Sequence, residues 1–392
     1  MPLDLGDALS RARGAEPGSL TGVTQVAAEG LGATDVVVYL VDYAQSVLQA
    51  VPAAGGSTAP LSEEVATTMA GRAFTDRRAV LAARPEGVRI WVPIMEGSDR
   101  SGVLAVTVPD AGEAVVRACE ELGMFVGYLV AVQSRVTDFY HRQRRRRSLS
   151  QAASMQWDLL PPLVVKTQRF TVAGILEPAY EVAGDCFDYA INGVELDVGV
   201  FDPLGHTVGS ALLAAMCVGT YRHGRRDRLA LDRVHGDLDA AVAREFPQAF
   251  ATGQLARIDG ETGAMEWTNA GHPLPLLIRN GKVIGELPCP ATLPWGLGAL
   301  DGVQVQVPLA SEPLEPGDGV LFYTDGVVEA HLPGGEQFGI ERLVDLLGQH
   351  LSAGLDPEET VRRLVRSVLD HQGDDLRDDA TLVMCTWHGP PR

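Results

Sequence analysis

The chain has 392 residues, 46% of them apolar, with 32 basic against 51 acidic side chains and a formal net charge of -19. That length exceeds one ordinary domain and predicts two or three, while the negative charge argues against nucleic acid and anionic membrane as partners. Cysteines at 119, 186, 217, 289 and 385 form no CxxC or zinc-type spacing, and the amino-terminal MPLDLGDALSRARG has no apolar core behind a basic start; a cytoplasmic, unexported chain without membrane spans is the expectation.

In chain order, a small-residue helix over Leu20 to Leu31 precedes strands in DVVVYLVD (35–42), RIWVPI (89–94) and GVLAVTV (102–108). Residues 1–112 therefore predict a compact α/β unit. Val115, Cys119, Leu122, Val126, Leu129, Gln133, Val136 and Tyr140 then recur at alternating spacings of four and three, a heptad seam with one polar interruption at Gln133. This seam either packs on its own domain or pairs with a second copy. The second reading is favoured because the helix leads into an arginine run, Arg142 to Arg147, so 113–160 reads as a coiled connector and a homodimer is expected.

Residues 161–392 form a β-rich remainder with intervening helices. QLARID and AMEWTNAG flank GETG and predict a hairpin, VQVQV (303–307) alternates as a half-buried strand does, and Asp356, Pro357 and Glu359 open a helix with N-cap and capping-box signals. LDVGVFD and GVLFYTD end in Asp202 and Asp325, whereas DDATLVMCTW begins with Asp378 and Asp379. If the last strand runs antiparallel to the others, these carboxylates emerge at one sheet edge. Asp185 and Asp188 belong to a glycine-containing turn just upstream.

Any single aspartate after a strand is ordinarily a turn former or N-cap. Several converging carboxylates repel one another, and a divalent cation relieves that repulsion. Oxygen ligands without paired Cys or His point to Mn²⁺ or Mg²⁺; two such ions would activate a water for hydrolysis of a phosphate ester. A cysteine-dependent phosphatase is excluded by spacing, since Cys217 and Arg222 fall one residue short of Cys-x5-Arg inside a predicted helix.

EPAYEVAGDCFDY, VGVFDPLGH, TNAGHPLPLLI, LPWGLG, GDGVLFYTDGVVEA, EQFGIERLVDLL and RDDATLVMC occur in an order and spacing that resemble the bacterial stage II sporulation protein E class of metal-dependent, type 2C serine/threonine phosphatases. The resemblance covers about residues 165 to 388 and implies an α-β-β-α sandwich with two Mn²⁺ or Mg²⁺ ions at one end. By the same resemblance, Asp185, Asp202, Asp325 and Asp378 are the catalytic metal ligands, with Asp202 bridging both ions, Asp379 the fallback for Asp378, and Pro203 offering its carbonyl. Asp188, His206, Gly326, Asn269 and His272 are implied as outer-shell residues. The first unit resembles a GAF sensor domain (GVTQVAAEGLGATDVVVYLVD, AGRAFTDRRAV, SGVLAVT), which implies a small-molecule ligand. Together the parts resemble partner-switching regulators acting on a phosphorylated anti-sigma-factor antagonist.

Ala183, Pro203 and Thr207 depart from the family pattern. Proline keeps its carbonyl but fixes φ and biases Asp202 towards an extended conformation; Thr207 would either narrow the cleft or offer a hydroxyl to bound water. The alternative expectation is a catalytically weakened regulator that binds a partner through the same fold.

Overall fold

The computed structural model describes residues 5–14, 16, 18–52, 61–177, 180, 184–205, 207–298, 307–331, 337–372 and 379–391, and divides the chain into two units, Met1–Ser148 and Leu149–Arg392.

In the first unit, helices α1 (Leu5–Gly14) and α2 (Leu20–Glu29) precede strands β1 (Asp35–Val41), β2 (Val47–Ala50) and β3 (Ser62–Glu64). Helix α3 (Met69–Asp76), strands β4 (Val80–Arg84), β5 (Gly87–Glu96) and β6 (Asp99–Val108), then helices α4 (Glu113–Ser134) and α5 (Phe139–Gln143) complete it. The strands form one antiparallel sheet in the order β3-β2-β1-β6-β5-β4. Alternation divides its side chains between two cores. Val36, Val38, Leu40, Ile90, Val92, Ile94, Leu104 and Val106 meet α2 and α4 on one face, and Tyr39, Val41, Trp91, Val103 and Ala105 meet Ala70, Ala73 and Phe74 of α3 on the other.

The seam helix is part of this unit, which corrects the boundary at residue 112. Cys119, Leu122 and Val126 are fully buried against the sheet of their own unit. Glycine makes that approach close: a Cβ at Gly123 would lie 2.6 Å from the Pro93 carbonyl oxygen, and one at Gly127 2.0 Å from that of Met95. Gln133, the polar interruption, accepts a hydrogen bond from the Tyr140 hydroxyl. In the arginine run, Arg144 donates to the Val41 carbonyl (3.0 Å) and covers the Tyr43 ring.

The second unit runs α6 (Gln151–Leu159), β7 (Val164–Lys166), β8 (Phe170–Glu177), β9 (Cys186–Asn192), β10 (Glu195–Pro203), α7 (Val208–Arg226) and α8 (Leu231–Glu245). It continues with β11 (Ala251–Asp259), β12 (Ala264–Ala270), β13 (Leu276–Arg279), β14 (Lys282–Glu286), β15 (Ala310–Pro313) and β16 (Gly319–Tyr323). Helices α9 (Asp325–Val328), α10 (Ile340–Ser352) and α11 (Pro357–Gln372) precede the last strand, β17 (Ala380–Trp387). The predicted hairpin is β11–β12, its turn closed by Asp259 Oδ1 accepting the Glu261 and Thr262 amides at 2.8 and 2.9 Å. Helix α11 starts at Pro357, as its cap signals predict. Of the expected strand at 303–307, residues 303–306 lie outside the described residues and Val307 belongs to no strand.

Two antiparallel sheets result, ordered β15-β12-β11-β10-β9 and β14-β13-β16-β17-β8-β7. They pack face to face: the Phe187 ring of β9 occupies the space over Gly174 of β8, where a Cβ would come within 2.3 Å of it. Helices α7 and α8 cover one sheet through Leu213, Cys217, Val234 and Leu238, and Leu343, Leu347, Leu364 and Val368 of α10 and α11 join the core of the other. The unit is the expected α+β sandwich. Among the described residues, no helix is long and apolar enough to cross a membrane.

Candidate metal centre

Strand β10 belongs to one sheet, β16 and β17 to the other, so Asp202, Asp325 and Asp379 do not share one sheet edge as first expected. They meet because the two sheets bring the ends of these strands to the same end of the sandwich, beside the 184–185 turn. Asp379 Oδ2 accepts the backbone amides of Gly184 and Asp185, the latter at 2.9 Å. Asp185 Oδ2 accepts the Thr324 hydroxyl at 2.7 Å, immediately before Asp325. A Cβ on Gly184 would lie 2.6 Å from the Gly205 carbonyl oxygen and 3.4 Å from that of Pro203, so the loop after Asp202 presses on the same turn.

Gly326 is demanded sterically, since a Cβ there would sit 1.9 Å from the Asp379 carbonyl oxygen. Asp185 and Asp379 are buried and Asp202 is partly exposed. Burial first, then the charges of Asp202 and Asp379, hold the Asp185 carboxyl well above the usual carboxylate range. Among the described residues no group of three or more Asp, Glu, His or Cys side chains is placed to hold a metal ion. Asp378, His206 and Ala183 lie outside the described residues.

Pro203 closes strand β10, paired with Ala251. Asp202 and Pro203 are thus both extended, the conformation a residue before proline prefers. Thr207 is the N-cap of α7, its Oγ1 accepting the Gly209 amide at 3.2 Å while its own amide donates to Ser210 Oγ at 3.3 Å. Ser210 Oγ in turn donates to the Leu204 carbonyl at 3.0 Å, pinning the loop.

Asp188 departs from its expected place beside the cluster. It lies on β9 facing α7, where Arg222 holds it at 2.8 Å and Arg225 holds it as well, so its charge fastens a helix to the sheet. Asn269 and His272 form a closed turn: the Asn269 side chain accepts the His272 amide at 2.7 Å and donates to the His272 carbonyl at 2.8 Å, with Gly271 at φ +67 between them.

Three residues at this end escaped sequence reading. Gln156 of α6 is buried and donates through Nε2 to the Asp185 carbonyl and to Asp379 Oδ2, the latter at 3.3 Å. Thr324 precedes Asp325 in the TDG motif and was legible as a neighbour. Thr252 lies opposite Asp202 on the adjacent strand, a pairing that only the register reveals.

A family model described as stage II sporulation protein E (SpoIIE) matches residues 193–388. The chain is 22% identical over 292 residues to the phosphoserine phosphatase RsbU of Bacillus subtilis, covering 72% of this chain and 83% of that one. To Protein IcfG of Synechocystis sp. it is 24% identical over 272 residues, 61% of this chain and 41% of that one. Among solved structures it is similar to the RsbU and RsbW domains of Rv1364c from Mycobacterium tuberculosis, with a TM-score of 0.50, 24% identity, and coverage of 57% of this chain and 63% of that one. That likeness bears on the fold. The chain spans less than two thirds of the Synechocystis and Mycobacterium proteins.

Proposed function

The chain belongs to the stage II sporulation protein E (SpoIIE) family, and on that premise we propose that its second unit is a metal-dependent protein serine/threonine phosphatase. The observation that carries the proposal is the convergence of Asp185, Asp202 and Asp379, with Asp325 one residue from Thr324, at one end of the sandwich.

The donor set fits hard divalent cations. Carboxylate oxygens and the Pro203 carbonyl suit Mn²⁺ or Mg²⁺, and the burial and neighbouring charges that raise the Asp185 carboxyl are what a cation offsets. Asp185, Asp202, Asp325 and Asp378 are the proposed ligands, with the Pro203 carbonyl beside them. Asp379 stays the alternative to Asp378, and its Oδ2, turned to the Gly184 and Asp185 amides, also holds the turn that presents Asp185. When bound, a pair of such ions supplies charge neutralisation at the phosphoryl oxygens and a more acidic water. The chain's own residues contribute position: Gly184 and Gly326 allow close backbone approach, and Ser210 and Thr207 set the loop after Asp202.

The proposed substrate is phosphoserine or phosphothreonine on a regulatory protein, an anti-sigma-factor antagonist being the form that the resemblance implies. The name of the Bacillus relative, a phosphoserine phosphatase, supports the same reading. The first unit is the proposed sensor, with a small-molecule ligand, in a cytoplasmic homodimer.

The test is hydrolysis of an aryl phosphate and of a phosphoserine peptide with and without added Mn²⁺. Turnover should require Mn²⁺ and fall by about 100-fold or more in Asp202→Ala, the scale set by loss of a metal ligand or its support. An intact protein that binds Mn²⁺ yet shows no turnover on any phosphoprotein or aryl phosphate would favour a binding regulator instead.

A further inference from the structure

Asp202 is a proposed metal ligand, and its carboxylate is held from across the ladder. Asp202 pairs directly with Thr252 in the antiparallel β10–β11 register, and cross-strand partners point to the same face of a sheet. Thr252 Oγ1 donates to Asp202 Oδ2 at 3.1 Å. The same oxygen lies 2.8 Å from His272 Nδ1. A hydroxyl can both donate and accept, so Thr252 Oγ1 links the Asp202 carboxylate to the His272 ring, whichever ring nitrogen carries the proton. His272 is buried, and the Asn269 clasp fixes its backbone at both ends.

We propose that Thr252 is a positioning residue for the metal centre, its hydroxyl held by His272 so that Asp202 Oδ2 is oriented and Oδ1 is directed to the cations. The inference rests on the phosphatase reading above. It gives the NAGHP segment a specific task beyond shaping a loop: the segment places the His272 ring against the Thr252 hydroxyl. Hydrogen bonds of this kind behind a ligating carboxylate fix its orientation, and their loss typically weakens metal binding by about 10- to 100-fold.

The test is calorimetric titration of the full chain with Mn²⁺ alone, for wild type, Thr252→Val and Thr252→Ser. Valine keeps the β-branched shape that suits a strand and removes only the hydroxyl. The expected result is Mn²⁺ affinity lowered by about 10-fold or more in Thr252→Val and restored in Thr252→Ser, with unchanged circular dichroism. Should the valine variant fail to fold, Thr252→Ala is read against Thr252→Ser in the same way. His272→Gln combined with Thr252→Val should weaken binding no further than Thr252→Val alone, because the histidine acts through the hydroxyl. Wild-type affinity in Thr252→Val, or serine that does not rescue, overturns the inference and leaves the phosphatase reading standing. A wild-type chain that takes up no Mn²⁺ overturns both.

Discussion

Buried side chains with fixed partners decide what the residues of the second unit tolerate. His235 lies between two threonine hydroxyls, Thr268 and Thr292, each 3.0 Å from a ring nitrogen, and edge-on to Trp295. Burial pushes its pKa down to about 4. Its unfolded value is near 6.5, so the folded chain binds the proton less well; the contribution is complete above about pH 6.5 and is lost as pH falls towards 4. We expect the urea midpoint to drop across that window, by on the order of 1.4 kcal/mol per pH unit in stability at most, and His235→Gln to flatten the dependence. An unchanged slope in the variant would assign it to other groups. The aspartates themselves were readable at this scale, because a carboxylate at the end of an apolar run is conspicuous. Their division of labour was not: Asp185 and Asp188 look alike in sequence, but only Asp188 meets two guanidinium groups.

Helix α4 shows how far a pattern reaches at the scale of one element. Spacings of three and four mark an apolar stripe on a helix without naming what covers it, since a sheet face and a second helix ask for the same stripe. Gly123 and Gly127 were the overlooked signal, for they admit backbone carbonyls of β5 at distances that any side chain forbids. Val126 is fully buried there, so Val126→Asp should destabilise the first unit by more than about 3 kcal/mol, the cost of an unpaired buried charge. Urea unfolding followed by Trp91 fluorescence checks this. A variant that stays folded while losing half its mass in solution would restore the seam to a dimer interface. Helix α6 makes the complementary point: its sequence carries an N-cap at Ser150 and a plain run of small residues, and nothing in it announces that Gln156 reaches Asp379.

The whole chain is two units with separate cores, the first built on one sheet and the second on two. The segment after α5 carries exposed Arg146 and Arg147 immediately before the division at Ser148. Brief trypsin treatment should therefore cut there first and leave two protected fragments, of about residues 1–147 and 148–392. Simultaneous breakdown of both, seen by mass spectrometry, would contradict independent cores.

By itself the sequence determined the β11–β12 hairpin, the start of α11 and the strands that carry terminal aspartates, because strand alternation, turn residues and terminal aspartates are local properties of the chain. Motif order carried the family. Tertiary structure alone decided that the carboxylates arrive from two sheets, that Asp379 serves the Asp185 turn, and that Thr252 stands behind Asp202. Those facts depend on sheet order and register, which join residues far apart in the chain and leave no periodic mark on the residues they bring together.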